Sequence, residues 1–276
     1  MLRWLIVLLA IALVSAGLWL HMKKVRARAA TSGLTPEDCR RILELRLPVW
    51  AKLPEDLRQA LIERLESFLD RVPFTGAHNF VVSDDMRVVV GAQACLITLG
   101  HDDYPFEALH GITLHADEFV VAETLEDEET GVVTEGYRAL SGQAIENERI
   151  VLSWRDVEES LLRSDGYNVV IHEFTHYLEQ THPGGDRSAH AALAQHLDEL
   201  RAAVDRGEQT LLDPYAAEDL TEFLAVAAEF FFERPSELLE RHPVLYVVLR
   251  DSFKLDPATW RAPAALAAPS DDPAQN

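Results

Sequence analysis

The chain is 276 residues long, 48% hydrophobic and 26% charged, with 46 acidic against 25 basic residues and a formal net charge of −21. These proportions exclude a disordered or fibrous chain and leave room for one sizeable domain or two small ones. Residues 1–28 carry five basic groups and no acid, so the remainder holds 20 basic against 46 acidic groups; so acidic a surface, without a basic stripe, repels phosphate backbones and argues against nucleic-acid binding.

The chain begins with an apolar run. Trp4 to Leu20 (WLIVLLAIALVSAGLWL) is 17 residues without a charge, the lower limit for a helix that crosses a bilayer, and Leu2 and Met22 can extend it. Lys23, Lys24, Arg26 and Arg28 come directly after it. A cleaved signal peptide is the alternative, because Val14-Ser15-Ala16 resembles a cleavage site. The apolar run continues past that site, however, and the positive charges oppose translocation of the body. The reading is a single-pass anchor in the inner (cytoplasmic) membrane with the body in the cytoplasm, against export after signal cleavage.

Residues 36–50 and 54–70 show helical periodicity, with Leu57, Leu61, Leu65 and Leu69 four apart. Phe74 to Val82 reads as a loop entering a short strand. Residues 84–99 suit a helix capped by Asp84, although Val88-Val89-Val90 would also suit a strand. Residues 112–122 and 149–154 (RIVLSW) are the clearest strands, joined by an acidic, glycine-containing stretch that reads as a hairpin connection or solvated loop. From Asp156 to about Leu249 the chain is helical. Helices, a small sheet, then a long helical half make an α+β chain. Ala262 to Asn276, rich in Ala, Pro and Asp, reads as a disordered tail. Cys39 and Cys95 lack a CxxC partner and sit among apolar neighbours, which suits buried free thiols; sequence alone leaves a pairing open.

Residues 168–179 read NVVIHEFTHYLE. His172 and His176 stand four apart, on one helix face, where both imidazoles can reach one ion. Zinc takes such ligands and, in catalytic sites, keeps a coordination position open for water. Glu173, one position along, can touch that water without binding the metal, which is the HExxH arrangement of two ligands and a general base. The bland alternative is a half-buried helix with two chance histidines. Val169, Val170, Ile171, Phe174 and Leu178 make a core-facing stripe, Asp165 or Asn168 can cap the start, and Pro183, Gly184 and Gly185 can end it.

A catalytic site needs a third protein ligand. The pattern HExxHxxGxxH would require glycine where Glu179 stands, and His182 precedes Pro183 at the helix end. His190 and His196 read as solvated. On the later segment DPYAAEDLTEFLAVAAEFFFERP, capped by Asp219, Glu222 and Glu229 lie on one side two turns apart, and either carboxylate could reach a metal.

VVIHEFTHYLE, DPYAAEDLTEFLAVAAEFFFERP, LYVVLRDSFKLDP and, upstream, MRVVVGAQACL and IVLSWRDV resemble the Mlc titration factor A family of zinc peptidases, in order from roughly Leu47 to Pro257. In that family, and in the similar catalytic domain of anthrax lethal factor, the glutamate before the Phe-rich turn binds zinc. The resemblance therefore implies Glu222 as the third ligand, with Glu229 orienting a histidine. It also raises Tyr215, seven residues before Glu222, as a donor to the oxyanion, because a tyrosine stands at that spacing in the lethal factor-like domains. This sequence departs from the family where Glu179 replaces a usual aspartate, in the loop PGGDRSAH, and in its N-terminal anchor.

The expectation is thus an anchor with basic flank over 1–28, a mainly helical zinc peptidase domain of gluzincin type over 29–261 with a small sheet beside the HExxH helix, and a tail over 262–276. One Zn²⁺ per chain is held by His172, His176 and Glu222, with Glu173 as general base and Tyr215 as oxyanion donor, acting on a peptide or protein substrate laid against RIVLSW as an edge strand. The alternative is a metal-containing binding protein that sequesters a transcriptional regulator, since family members are associated with a sugar-responsive repressor.

Overall fold

The computed structural model describes residues 33–261 except 104, 127–132, 141, 146–148 and 182–186. The apolar N-terminal segment, the Ala/Pro-rich tail and His182 lie outside the described residues. Among the described residues no helix is long and apolar enough to cross a membrane.

Helix α1 (Pro36–Arg46) starts in a capping box in which Thr35 Oγ1 accepts from the Asp38 amide and Asp38 accepts from the Thr35 amide. It stops before Pro48, four residues short of the sequence expectation. Proline disfavours helical geometry at the residue ahead of it, and Leu47 is extended. Helix α2 (Glu55–Arg71) buries Leu61, Leu65, Phe68 and Leu69. Helix α3 (Asp84–Leu96) settles the ambiguous valine run as helix. Ser83, not Asp84, is its cap, accepting from the Met86 amide at 3.3 Å. Val88 to Leu96 are buried without a break, so the segment needs no polar face, and its β-branched residues reflect an interior helix.

The sheet has the order β1-β2-β6-β5, from β1 (Phe74–Gly76), β2 (Gly111–His115), β6 (Arg149–Ser153) and β5 (Gly142–Ile145). The first three run parallel, with Phe74, Ile112 and Ile150 in register, and β5 pairs antiparallel to β6. The stretch after Phe74 is thus a strand followed by a tight turn, the reverse of the order expected. Strands β3 (Phe119–Glu126) and β4 (Val133–Leu140) form a separate antiparallel pair, so the strand expected over 112–122 is divided between β2 and β3. The RIVLSW strand is not an edge. It is β6, flanked by β2 and β5, so its backbone groups are used on both sides and β5 is the outer strand.

The second half is helical: α4 (Trp154–Arg163), α5 (Val169–Thr181), α6 (Arg187–Asp205), α7 (Leu220–Glu233), α8 (Pro235–Arg241) and α9 (Pro243–Phe253). The architecture is α+β, mainly helical, with α5 packed beside β5 and β6. One continuous core joins both halves. Phe68 of α2, Phe106, and Phe174 and Tyr177 of α5 meet with ring centroids 5.0 to 6.4 Å apart, pinning the apolar face of α5. Cys39 and Cys95 are both buried and free.

Candidate metal centre

Helix α5 is fixed at its start by Asn168, whose Oδ1 accepts from the Ile171 amide at 3.1 Å. Of the two caps that the sequence allowed, it is Asn168 that is used. The approach to this cap is tight. Gly166 has φ +103, and a Cβ there would lie 2.3 Å from the Phe230 ring of α7, so the turn needs glycine for its backbone and for its clearance. With Val169, Val170, Ile171, Phe174 and Tyr177 buried, the helix turns His172 and His176 toward α7.

Helix α7 begins at Asp219, whose Oδ1 accepts from the Thr221 and Glu222 amides at 2.8 and 2.9 Å. Glu222 therefore stands in the first turn, where the unpaired amides of a helix favour negative charge. Phe223, Ala227, Phe230 and Phe231 bury the other side of the helix.

His172, His176 and Glu222 each offer one ligand atom to a common point, all within 4.8 Å of one another. The three edges are 3.0 Å between the two histidine Nε2 atoms, 3.1 Å from His172 Nε2 to Glu222 Oε2, and 3.4 Å from His176 Nε2 to Glu222 Oε2. A tetrahedral ion with ligands at about 2.0–2.1 Å separates them by about 3.3 Å, so the donor set fits zinc in kind and in spacing. Glu222 Oε2 is buried yet has no hydrogen bond among the described residues, although a nitrogen lies 3.1 Å away. A buried carboxylate oxygen in this position calls for a partner, and a cation at the point shared with the two imidazoles would satisfy it.

Glu229, the other candidate ligand, reaches the far side of the same imidazole. Its Oε1 is 2.7 Å from His172 Nδ1 and its side chain is 2% exposed. It orients the ring and does not share the ligand point. Its Oε2 accepts from the Asn168 backbone amide, while the Asn168 side-chain amide donates to Gln93 Oε1 at 2.7 Å and to Glu233 Oε1 at 2.8 Å. Gln93 and Glu233 escaped the sequence reading. The available signal was Glu233 four residues after Glu229, on a Phe-rich segment where two carboxylates on one face demand partners.

The electrostatics arise from this crowding. Burial opposes a charge on His172, but the adjoining Glu222 and Glu229 carboxylates overcome it and push the imidazole up to about 10. Burial also works against ionised Glu222, and the two histidines reverse it, holding that carboxyl well below the usual range. Glu173 is pushed up to about 7, by burial first and by Glu222 and Glu229 after it, against the pull of the histidines.

Tyr215 lies on a short turn, Pro214–Ala217, with its ring centroid 6.3 Å from that of His172. Its ring thus lies beside the His172 imidazole. His196 is not solvated as expected. Its side chain is 14% exposed, pairs with Glu199 at 3.3 Å, and stands outside the ligand group.

The sequence pattern of the family described as glucose-regulated metallo-peptidase M90 matches residues 20–254, most of the chain. The chain belongs to this family. An uncharacterized protein of Synechocystis (slr2042) is 32% identical over 80% of this chain and 85% of its own length. Mlc titration factor A of Serratia proteamaculans is 30% identical over 77% of this chain and 86% of its own, and that of Pectobacterium atrosepticum 29% over 81% and 90%. Membership makes the protein a metallopeptidase relative across almost the whole body, beginning upstream of Leu47, from where the sequence resemblance was read.

Proposed function

We propose that this M90-family protein is a zinc-dependent peptidase of gluzincin type. The observation that carries the reading is the triangle of His172 Nε2, His176 Nε2 and Glu222 Oε2, with edges of 3.0 to 3.4 Å and with Glu222 Oε2 lacking a hydrogen bond among the described residues. When bound, zinc supplies Lewis acidity to the scissile carbonyl and lowers the pKa of water. His172, His176 and Glu222 hold the ion, and Glu229 keeps His172 in the tautomer whose Nε2 is free to ligate. Glu173 accepts the proton of the attacking water on its carboxylate and delivers it to the leaving amine. Tyr215 donates a hydrogen bond from its hydroxyl to the oxygen that becomes negative. The outer edge of β5, unpaired among the described residues, receives the extended peptide through backbone bonds. The test is peptide hydrolysis by the purified protein with a chelator and after zinc is restored. Hydrolysis that survives complete metal removal would exclude the reading.

A second reading is supported by the relatives named Mlc titration factor A: binding of a transcriptional regulator. Glu173 separates the two, because a binding protein has no use for a general base beside its ligands. Glu173→Gln would leave regulator binding intact and abolish hydrolysis. We further propose that residues 1–28 anchor the chain in the inner membrane with the body cytoplasmic, on the strength of the apolar run and the four positive charges after it.

A further inference from the structure

Asn168 uses every hydrogen-bonding group it has. Its carbonyl accepts from the His172 amide at 2.9 Å and its Oδ1 from the Ile171 amide at 3.1 Å. Its backbone amide donates to Glu229, and its two side-chain N–H groups are directed to Gln93 of α3 and Glu233 of α7. The residue is 1% exposed.

Capping alone does not require this. Serine or aspartate caps a helix as well as asparagine does. Neither offers the paired donors that meet Gln93 and Glu233. Asparagine at this point bridges two carboxylates one turn apart on α7, the buried Glu229 through its backbone and the half-buried Glu233 through its side chain. The carboxylate it holds by the backbone is the one whose other oxygen stands 2.7 Å from His172 Nδ1.

We propose that Asn168 is the positioning residue of the metal centre: it registers α7 against the first turn of α5, so that Glu229 keeps His172 turned with Nε2 toward His176 and Glu222. The inference rests on the zinc-peptidase reading above. Asn168 touches neither ion nor substrate and acts through Glu229.

The test is a set of zinc dissociation constants for the full-length protein, measured by competition with a chromophoric chelator, alongside thermal midpoints of the metal-free forms. Asn168→Asp keeps the cap acceptor and the size, but sets a third carboxylate against Glu233; it should weaken zinc by about 10- to 100-fold, as loss of an outer partner does. Asn168→Ser keeps the cap, removes both donors, and should weaken zinc in the same range if the aspartate variant does not fold. In the double variant with Glu229→Gln the loss should not exceed that of Glu229→Gln alone by more than about 3-fold, because both act on one ring. A lower thermal midpoint with zinc affinity within about 3-fold of wild type would overturn the proposal and leave Asn168 a cap, and losses that multiply in the double variant would overturn it too. His172→Ala is the control: if it retains full zinc affinity the metal reading itself fails, whereas loss there with unchanged Asn168 variants sinks only this inference.

Discussion

Glu222 and Glu229, two turns apart on α7, address opposite nitrogens of one imidazole. Glu222 Oε2 lies 3.1 Å from His172 Nε2 and Glu229 Oε1 lies 2.7 Å from Nδ1. A single helix face thereby brings one carboxylate into the candidate ligand group and sets another behind the same imidazole. Their surroundings divide the roles: the Glu222 side chain is 19% exposed at the mouth of the site, while Glu229 is 2% exposed behind the ring. Glu222→Ala should therefore cost zinc binding and activity together, since it removes a ligand. Glu229→Gln should weaken zinc by about 10- to 100-fold without abolishing it. Metal titration of the two purified variants distinguishes them, and full affinity in Glu222→Ala would move the third ligand elsewhere.

Glu173 stands next to His172 in the chain and is 6% exposed, with both histidines acting on its charge. It is not among the three converging ligands. Glu173→Gln should keep stoichiometric zinc and lose at least about 10²-fold in peptide hydrolysis, the usual worth of a placed general base. Metal content measured on the same sample as turnover decides the matter. Undiminished turnover by the metal-loaded variant would exclude this mechanism.

Much of the centre was legible because its chemistry is local. The spacing of His172 and His176 is a property of one helical turn, and the cap at Asn168 belongs to the same segment. Glu222 was harder. Periodicity put it on the same side as Glu229 but could not say which of the two meets the metal, because that depends on how α7 docks across α5. Only the family resemblance broke the tie. The edge strand failed for a related reason: nothing in RIVLSW shows that Gly142–Ile145, just upstream in the chain, pairs with it and takes its free side. The long valine run of α3 was ambiguous because a helix buried all round has no polar stripe to report its period.

The two thiols make a prediction about alkaline pH. Burial pushes Cys39 from its ordinary 9.0 up to about 11 and Cys95 further in the same direction, and it pushes the Tyr177 hydroxyl from 10.0 up to about 12. A group whose proton is held more tightly when folded adds stability below its unfolded pKa and loses it as pH rises toward its folded pKa. The thermal midpoint should be insensitive to these groups at pH 7–8 and fall from about pH 9 toward 11. A Cys39→Ala/Cys95→Ala variant should fall less over that interval, and an identical decline in both would remove the thiols from the account. Neither thiol should react with an aromatic disulfide reagent at neutral pH before unfolding.

Topology is testable without reference to activity. Lys23, Lys24, Arg26 and Arg28 adjoin the apolar run almost without a gap, so the full-length protein should sediment with membranes and resist salt extraction. Its body should be shielded from protease added to the periplasmic side. Recovery of a soluble periplasmic product beginning near Gly17 would establish signal cleavage instead.

Tyr215 gives the sharpest separation between packing and chemistry. The turn that carries it is held by Asp213, which accepts from the Tyr215 amide at 2.8 Å, and by a bond from the Glu218 amide to the Tyr215 carbonyl. These bonds use its backbone, so removing the hydroxyl alone leaves the turn intact. The ring is partly buried against the core and tilted at 35° to that of His172, with centroids 6.3 Å apart. If the ring only packs, Tyr215→Phe should leave zinc content, KM and kcat unchanged. If the hydroxyl donates to the developing oxyanion, its loss should spare metal content and KM and lower kcat by about 10²- to 10³-fold, the cost of one such donor. The split between kcat and KM is informative because the bond strengthens only as negative charge appears on the carbonyl oxygen, after substrate is already bound. Zinc content, KM and kcat measured together on Tyr215→Phe decide the point, and a normal kcat returns Tyr215 to packing.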